Sequence, residues 1–163
     1  MCYGALEEKI SIETDDKLKL LLFGLDPELA NMWRGAKEAL NSSNPDKIRH
    51  FSISLRELFT QVIHALAPDE EIKSWSNAPE DFHNGQPKRA TRLRYIFKEI
   101  NDECLSNLIK KNILFALESL DFLSKGTHRT KTNLDDMKLK GIMITIELLI
   151  SQLIEISHLK DSV

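Results

Sequence analysis

The chain has 163 residues, of which 42% are hydrophobic and 29% charged, and carries a formal net charge of −3. That length fits one domain able to bury its own core, and the balance argues against a disordered chain. The two cysteines, Cys2 and Cys104, supply neither a disulfide framework nor a CxxC metal knuckle, and suit a reducing interior.

The opening stretch MCYGALEEKISIETDD lacks a basic region followed by an apolar one, so no secretory leader is expected and the default placement is cytoplasmic. Residues 1–30 hold seven carboxylates against three lysines, a net of −4. Residues 88–140 hold twelve Lys or Arg against seven Asp or Glu, a net of +5, which permits an anionic partner for the second half. Residues 1–24 are expected to form a separate acidic segment. It is either a short helix over DDKLKLLLF, capped by Asp15 or Asp16 and stopped by Gly24, or a docking arm. Residues 25–163 are expected to form a single helical domain.

DPELANMWRGAKEAL opens with Asp26 as N-cap, Pro27 at the first helical position and Glu28 in the first turn. The carboxylate accepts an orphan N–H, and proline has none to leave unpaired. The same device predicts a second helix from NPDKIRH, with Asn44 as cap and Pro45 following. Its inward stripe is Ile48, Phe51, Leu55, Leu58, Phe59, Val62 and Leu66, and near its end Pro68 stops it or bends the chain. PDEEIKSW suggests a short helix, and NAPEDFHNGQPK a loop of about a dozen residues. A third main helix is expected from Thr91, with Leu93, Ile96, Phe97, Ile100, Cys104 and Leu108 inward. NILFALESLDFLSKG either continues it or follows a break at Lys110–Asn112, and ends at Gly126. The last helix runs from about Leu134, capped by Asn133, to about His158. Its apolar residues spread widely enough for a central or doubly covered helix. The run Gly141–Ile156 is shorter than the roughly 20 residues of a bilayer span and is interrupted by Glu147, Gln152 and Glu155, so no membrane partner is expected. The fold class is all-α: a bundle of four or five main helices plus short ones.

Three groups of residues carry candidate chemistry. SKGTHRTKT is either a helix stop with a solvated loop or the edge of a site. In the second case His128 exchanges a proton near neutral pH, Arg129 holds a phosphate, and Lys125 and Lys131 add attraction. Metal-free RNA cleavage needs that set. On the second helix Arg49, Arg56, Thr60 and His64 form a stripe beside the apolar face; they are either boundary residues or part of a site. PKRATRLRYIFK brings Lys88, Arg89 and Arg92 to a helix start, where a nucleic-acid backbone would use them, with Tyr95 or Phe97 to stack a base. Glu80, Asp81 and His83 are ligand types without a recognised metal spacing, so neither a metal nor another cofactor is expected. Walker loops, dinucleotide fingerprints, nucleophile elbows and HExxH are all absent from the sequence.

The runs RHFSISLRELFTQVIHALAPDEEIKSW and SKGTHR resemble small helical bacterial domains: the predicted nucleases associated with prokaryotic PIWI proteins, themselves similar to the HEPN helical ribonucleases. The resemblance covers residues 45 to 158. It implies an all-α fold, a role in defence against mobile elements, and nuclease activity with Arg56, His64, His128 and Arg129 as its catalytic set. HEPN ribonucleases typically place four to six residues between Arg and His. Seven separate Arg56 from His64 here, and Arg129 follows His128 directly. The expectation is an RNA-directed nuclease-like domain of a defence or toxin–antitoxin system, acting as a homodimer. The alternative is a non-catalytic module that dimerises or docks on a larger protein partner.

Overall fold

The computed structural model describes residues 3–98, 100, 103–126 and 135–160, with side chains in 13–98, 100, 103–105, 107–122 and 135–158. Its seven helices are α1 (Tyr3–Leu25), α2 (Pro27–Asn41), α3 (Lys47–Leu66), α4 (Asp69–Trp75), α5 (Arg89–Phe97), α6 (Glu103–Gly126) and α7 (Asp136–Lys160). The all-α expectation holds, with five long helices and two short ones.

The apolar stripe read from the sequence makes α3 the axis of the bundle. Phe51, Leu55, Leu58, Phe59, Val62 and Ile63 are enclosed, and α2, α5, α6 and α7 pack around them. Each such side chain contributes about 1.5–3 kcal/mol relative to an exposed one. The cap of α2 is as expected: Asp26 Oδ1 accepts the Glu28 N–H at 2.8 Å, with Pro27 next in line.

The start of α3 departs from expectation. Asn44 does not cap the helix; its Oδ1 accepts the Asp46 N–H at 2.8 Å and its carbonyl the Lys47 N–H at 3.0 Å. Asparagine here closes a turn on its own backbone, which displaces the helix start to Lys47.

The acidic opening segment is one long helix rather than a short one begun at Asp15 or Asp16. Asp15 lies inside α1 and pairs with Lys37 of α2, and Lys17 meets Glu155 of α7 at 2.5 Å. Leu18 and Leu22 are enclosed in the common core.

The third expected helix is two. Helix α5 ends at Phe97 and α6 starts at Glu103, running unbroken through Lys110–Asn112. The new phase turns Ile109, Ile113, Ala116 and Leu120 inward and leaves Cys104 and Leu108 exposed, not buried as the continuous helix required. Helix α7 begins after Asp135, whose Oδ1 accepts the Lys138 N–H at 2.8 Å. The expected cap Asn133 lies outside the described residues. One face of α7 is buried through Leu139, Met143, Ile146, Leu149, Ile150, Leu153 and Ile154. Met137, Ile144 and Leu148 on the other face are exposed, so the helix is covered on one side only among the described residues. No described helix is long and apolar enough to cross a membrane.

Helices α2 and α7 are tied by one polar bond: Trp33 Nε1–H donates to Glu147 Oε1 at 2.7 Å. Burial raises the Glu147 pKa above the ordinary glutamate range, opposed by the indole bond and by Lys37. A raised folded-state pKa contributes stability that is full below the unfolded value and is lost as pH rises through the folded one. Glu147→Gln keeps an acceptor for the indole and removes the charge. It is expected to match or exceed the parent stability at pH 7, with a flatter pH dependence in the acid range. Glu147→Ala strands the buried N–H and is expected to cost about 1–3 kcal/mol. Denaturant unfolding from pH 4 to pH 8 measures both; a Gln variant no more stable than the Ala variant would contradict the account.

Candidate nucleic-acid interface

The segment between α4 and α5 is more ordered than the loop expected from its composition. Pro79–Asp81 form a 3₁₀ turn, and β1 (Phe82–His83) pairs antiparallel with β2 (Gln86–Pro87). Asn84 and Gly85 join the strands at φ 51° and 76°. A two-residue hairpin of type I′ demands positive φ at both positions, and Asn-Gly meets it at least cost.

Beside the hairpin, Asp81 is buried and fully engaged. It accepts from Ser76 Oγ at 2.5 Å and from Thr91 Oγ1, and it pairs with Arg94. The Ser76 bond, then Arg94, hold its carboxyl below the usual range. Among the described residues, no group of three or more His, Cys, Asp or Glu is arranged to hold a metal.

Arg92, one of the cations expected at a nucleic-acid backbone, is only 2% exposed. Its Nη1 donates to the Ala67 carbonyl at 2.5 Å, and its Nη2 pairs with Asp69. The guanidinium is thus committed to the C-terminus of α3 and the start of α4, and as placed it does not reach a phosphate. Its bond holds the Asp69 carboxyl below the usual range.

This pair supports the solvent-facing groups around it. His64, in the last turn of α3, is exposed. Partial desolvation of its ring, then repulsion from Arg92, lower its pKa; Asp69 and Glu57 oppose the shift, and Arg89 reinforces it. Lys88 is exposed at the N-cap position of α5, and Arg89 follows, half-buried. Arg56 is exposed on α3, about 12 Å along the axis from His64 at 1.5 Å per residue. Arg49 and His50 are spent locally on Asp46, at 3.1 and 3.9 Å.

His128, Arg129 and Lys131 lie outside the described residues. Lys125 is in the last turn of α6, and its side chain also lies outside them. Lys47 meets Asp136 at 2.7 Å, so α7 begins beside the start of α3, about 26 Å along the axis from His64. The structure therefore groups His64, Arg89 and Arg92 at one end of α3, with Arg56 midway.

Sequence reasoning missed Trp75. It ends α4 and lines an open cleft of about 450 Å³ with Glu70, Glu71, Ser74, Tyr95 and Lys98. The expected stacking residue Tyr95 is enclosed, and its hydroxyl donates to Glu71 at 2.5 Å; Phe97 is half-buried. Trp75 stays 39% exposed, edge-on to Tyr95 with ring centroids 5.5 Å apart, and the Arg94 guanidinium lies 5.7 Å from its ring centre. The only hint in the sequence is a tryptophan closing a short, mostly charged or polar helix.

Arg92→Ala leaves a buried carbonyl and a carboxylate without their cation and is expected to cost about 3–5 kcal/mol. Arg89→Ala, with no such partner to strand, is expected to stay within about 0.5 kcal/mol of the parent. Chemical denaturation checks both. Because the folded Asp69 pKa is depressed, its contribution is present above the unfolded value and lost as pH falls through the folded one, so the gap between parent and Arg92→Ala should narrow in acid.

A family model described as a predicted pPIWI-associating nuclease matches residues 22–153, which take in α2 to α6, most of α7 and the whole of this interface. No curated protein and no solved structure matches the chain.

Proposed function

The chain belongs to the family of predicted pPIWI-associating nucleases, and from that premise we propose that it cleaves single-stranded RNA at the exposed end of α3. The observation that carries this reading is His64: a solvent-facing imidazole with a lowered pKa, set among Arg89, Arg92 and Asp69. A lowered pKa leaves the ring neutral at pH 7 and able to act as a base. His64 takes the proton of a ribose 2′-hydroxyl, the oxygen attacks the adjacent phosphorus, and the 5′-oxygen leaves to give a 2′,3′-cyclic phosphate. Arg89, whose charge is felt at His64, meets the charge gathering on the phosphoryl oxygens. This chemistry needs the 2′-hydroxyl and so selects RNA over DNA without a metal.

Around that centre Lys88 and Arg56 contact neighbouring phosphates, and Trp75 stacks an unpaired base. His128 and Arg129, with Lys125 and Lys131, are the second candidate set, with His128 as the acid that protonates the leaving oxygen. The reading retains the HEPN-like character suggested by the sequence, a cytoplasmic setting, a role in defence against mobile elements or in a toxin–antitoxin pair, and a homodimer presenting two such edges. The competing reading, a non-catalytic module docking on a larger protein, draws on the exposed apolar residues of α6 and α7.

Purified protein is expected to cleave an RNA oligonucleotide but not its DNA counterpart. His64→Ala should reduce the rate by about 10²–10⁴-fold, with the melting temperature nearly unchanged because the ring lies outside the core. The acid limb of the rate profile should fall below the ordinary histidine pKa. Arg89→Ala should weaken binding and make it less sensitive to salt. Cleavage that survives His64→Ala but not His128→Ala would move the chemistry to the α6–α7 junction. No cleavage by the parent, with undiminished RNA binding, would leave a binding module.

A further inference from the structure

Helix α6 carries a second periodic signal outside its buried face. Leu108, Phe115 and Phe122 recur every seven residues and fall within about 40° of one another at 100° per residue. They are 57%, 55% and 55% exposed, while Ile109, Ile113, Ala116 and Leu120 face the core. A soluble helix rarely leaves three large apolar groups in one exposed row without a partner. The spacing is that of a helix seam rather than of a pocket.

The charges beside the row specify the partner. Lys111 and Glu118 flank it on the same side, four residues before and three after Phe115. Neither is engaged in an ion pair with another described residue. A two-fold axis beside Phe115 sets a second α6 antiparallel to the first. It brings Phe115 against its own copy, Leu108 against Phe122 of that copy, and Lys111 against Glu118 twice. Charge and shape are then complementary to themselves, which a pattern made for an unrelated protein need not be.

We infer that the outer row of α6 is the homodimer interface of this protein, formed by two antiparallel α6 helices centred on Phe115. The inference supplies the contact for the homodimer in the proposed function. Its test uses no substrate, so it fails or stands independently of RNA cleavage.

Sedimentation or light scattering of the full chain up to about 0.1 mM should give a dimer. Phe115→Glu should give a monomer with the parent's helix content and a thermal midpoint that no longer depends on protein concentration, since the side chain lies outside the core. Lys111→Glu and Glu118→Lys should each weaken the dimer several-fold, and the two together should restore it. That reciprocity would not follow from a general loss of folding. A monomeric parent over that range, a dimer indifferent to Phe115→Glu, or a double variant no better than the single ones would overturn the inference.

Discussion

A single buried cation organises the end of the bundle where the candidate chemistry lies. Arg92 satisfies the Ala67 carbonyl at the terminus of α3 and pairs with Asp69 at the start of α4, so α5 cannot move without uncovering a charge. Desolvating a guanidinium is costly, and the cost is met here by two good acceptors at fixed positions. The penalty for losing either acceptor makes the local geometry definite. Asp81 does the same on the other side, collecting Ser76, Thr91 and Arg94 onto one carboxylate. With these two anchors α5 is held against α3 and the hairpin against α4, and neither His64 nor Arg89 is enclosed.

The long-range pattern was legible because it depends on periodicity. The stripe from Phe51 to Leu66 and the cap at Asp26–Pro27 follow from one residue's relation to its near neighbours in sequence. What failed depended on partners distant in the chain. Nothing near Arg92 in sequence says that Asp69 and Ala67 wait for it, so a cation in PKRATR looked like one for phosphate. Leu108 and Cys104 face a core only if one helix runs on past Phe97, and the break before Glu103 shifts every later residue around the axis. The Asn84–Gly85 hairpin signal was present in the sequence but was submerged in a run of Pro, Asn and Asp. Trp75 left only a faint signal in the pattern, because its exposure depends on how it meets Tyr95, twenty residues away in the chain.

The same geometry sets the two ends of α3 apart. His64 and Arg89 lie at its C-terminal end, whereas the start of α7 is fastened near the N-terminal end through Lys47 and Asp136. Arg56 stands between them on the exposed side. An extended strand laid along α3 would meet Arg56, then His64 with Arg89 and Lys88. A row of cations spread over about 12 Å of helix suits a flexible polyanion better than a small molecule.

The central claim is that this edge of α3 and α5 grips single-stranded RNA. The most direct measurement is a backbone and imidazole NMR titration with a 2′-O-methyl RNA oligonucleotide, which binds but cannot be cut by attack of its own 2′-hydroxyl. The account predicts shifts concentrated at His64, Lys88, Arg89 and the Trp75 indole, with α1 and the outer face of α7 unmoved. Shifts confined to those latter surfaces, or none under low salt, would contradict it.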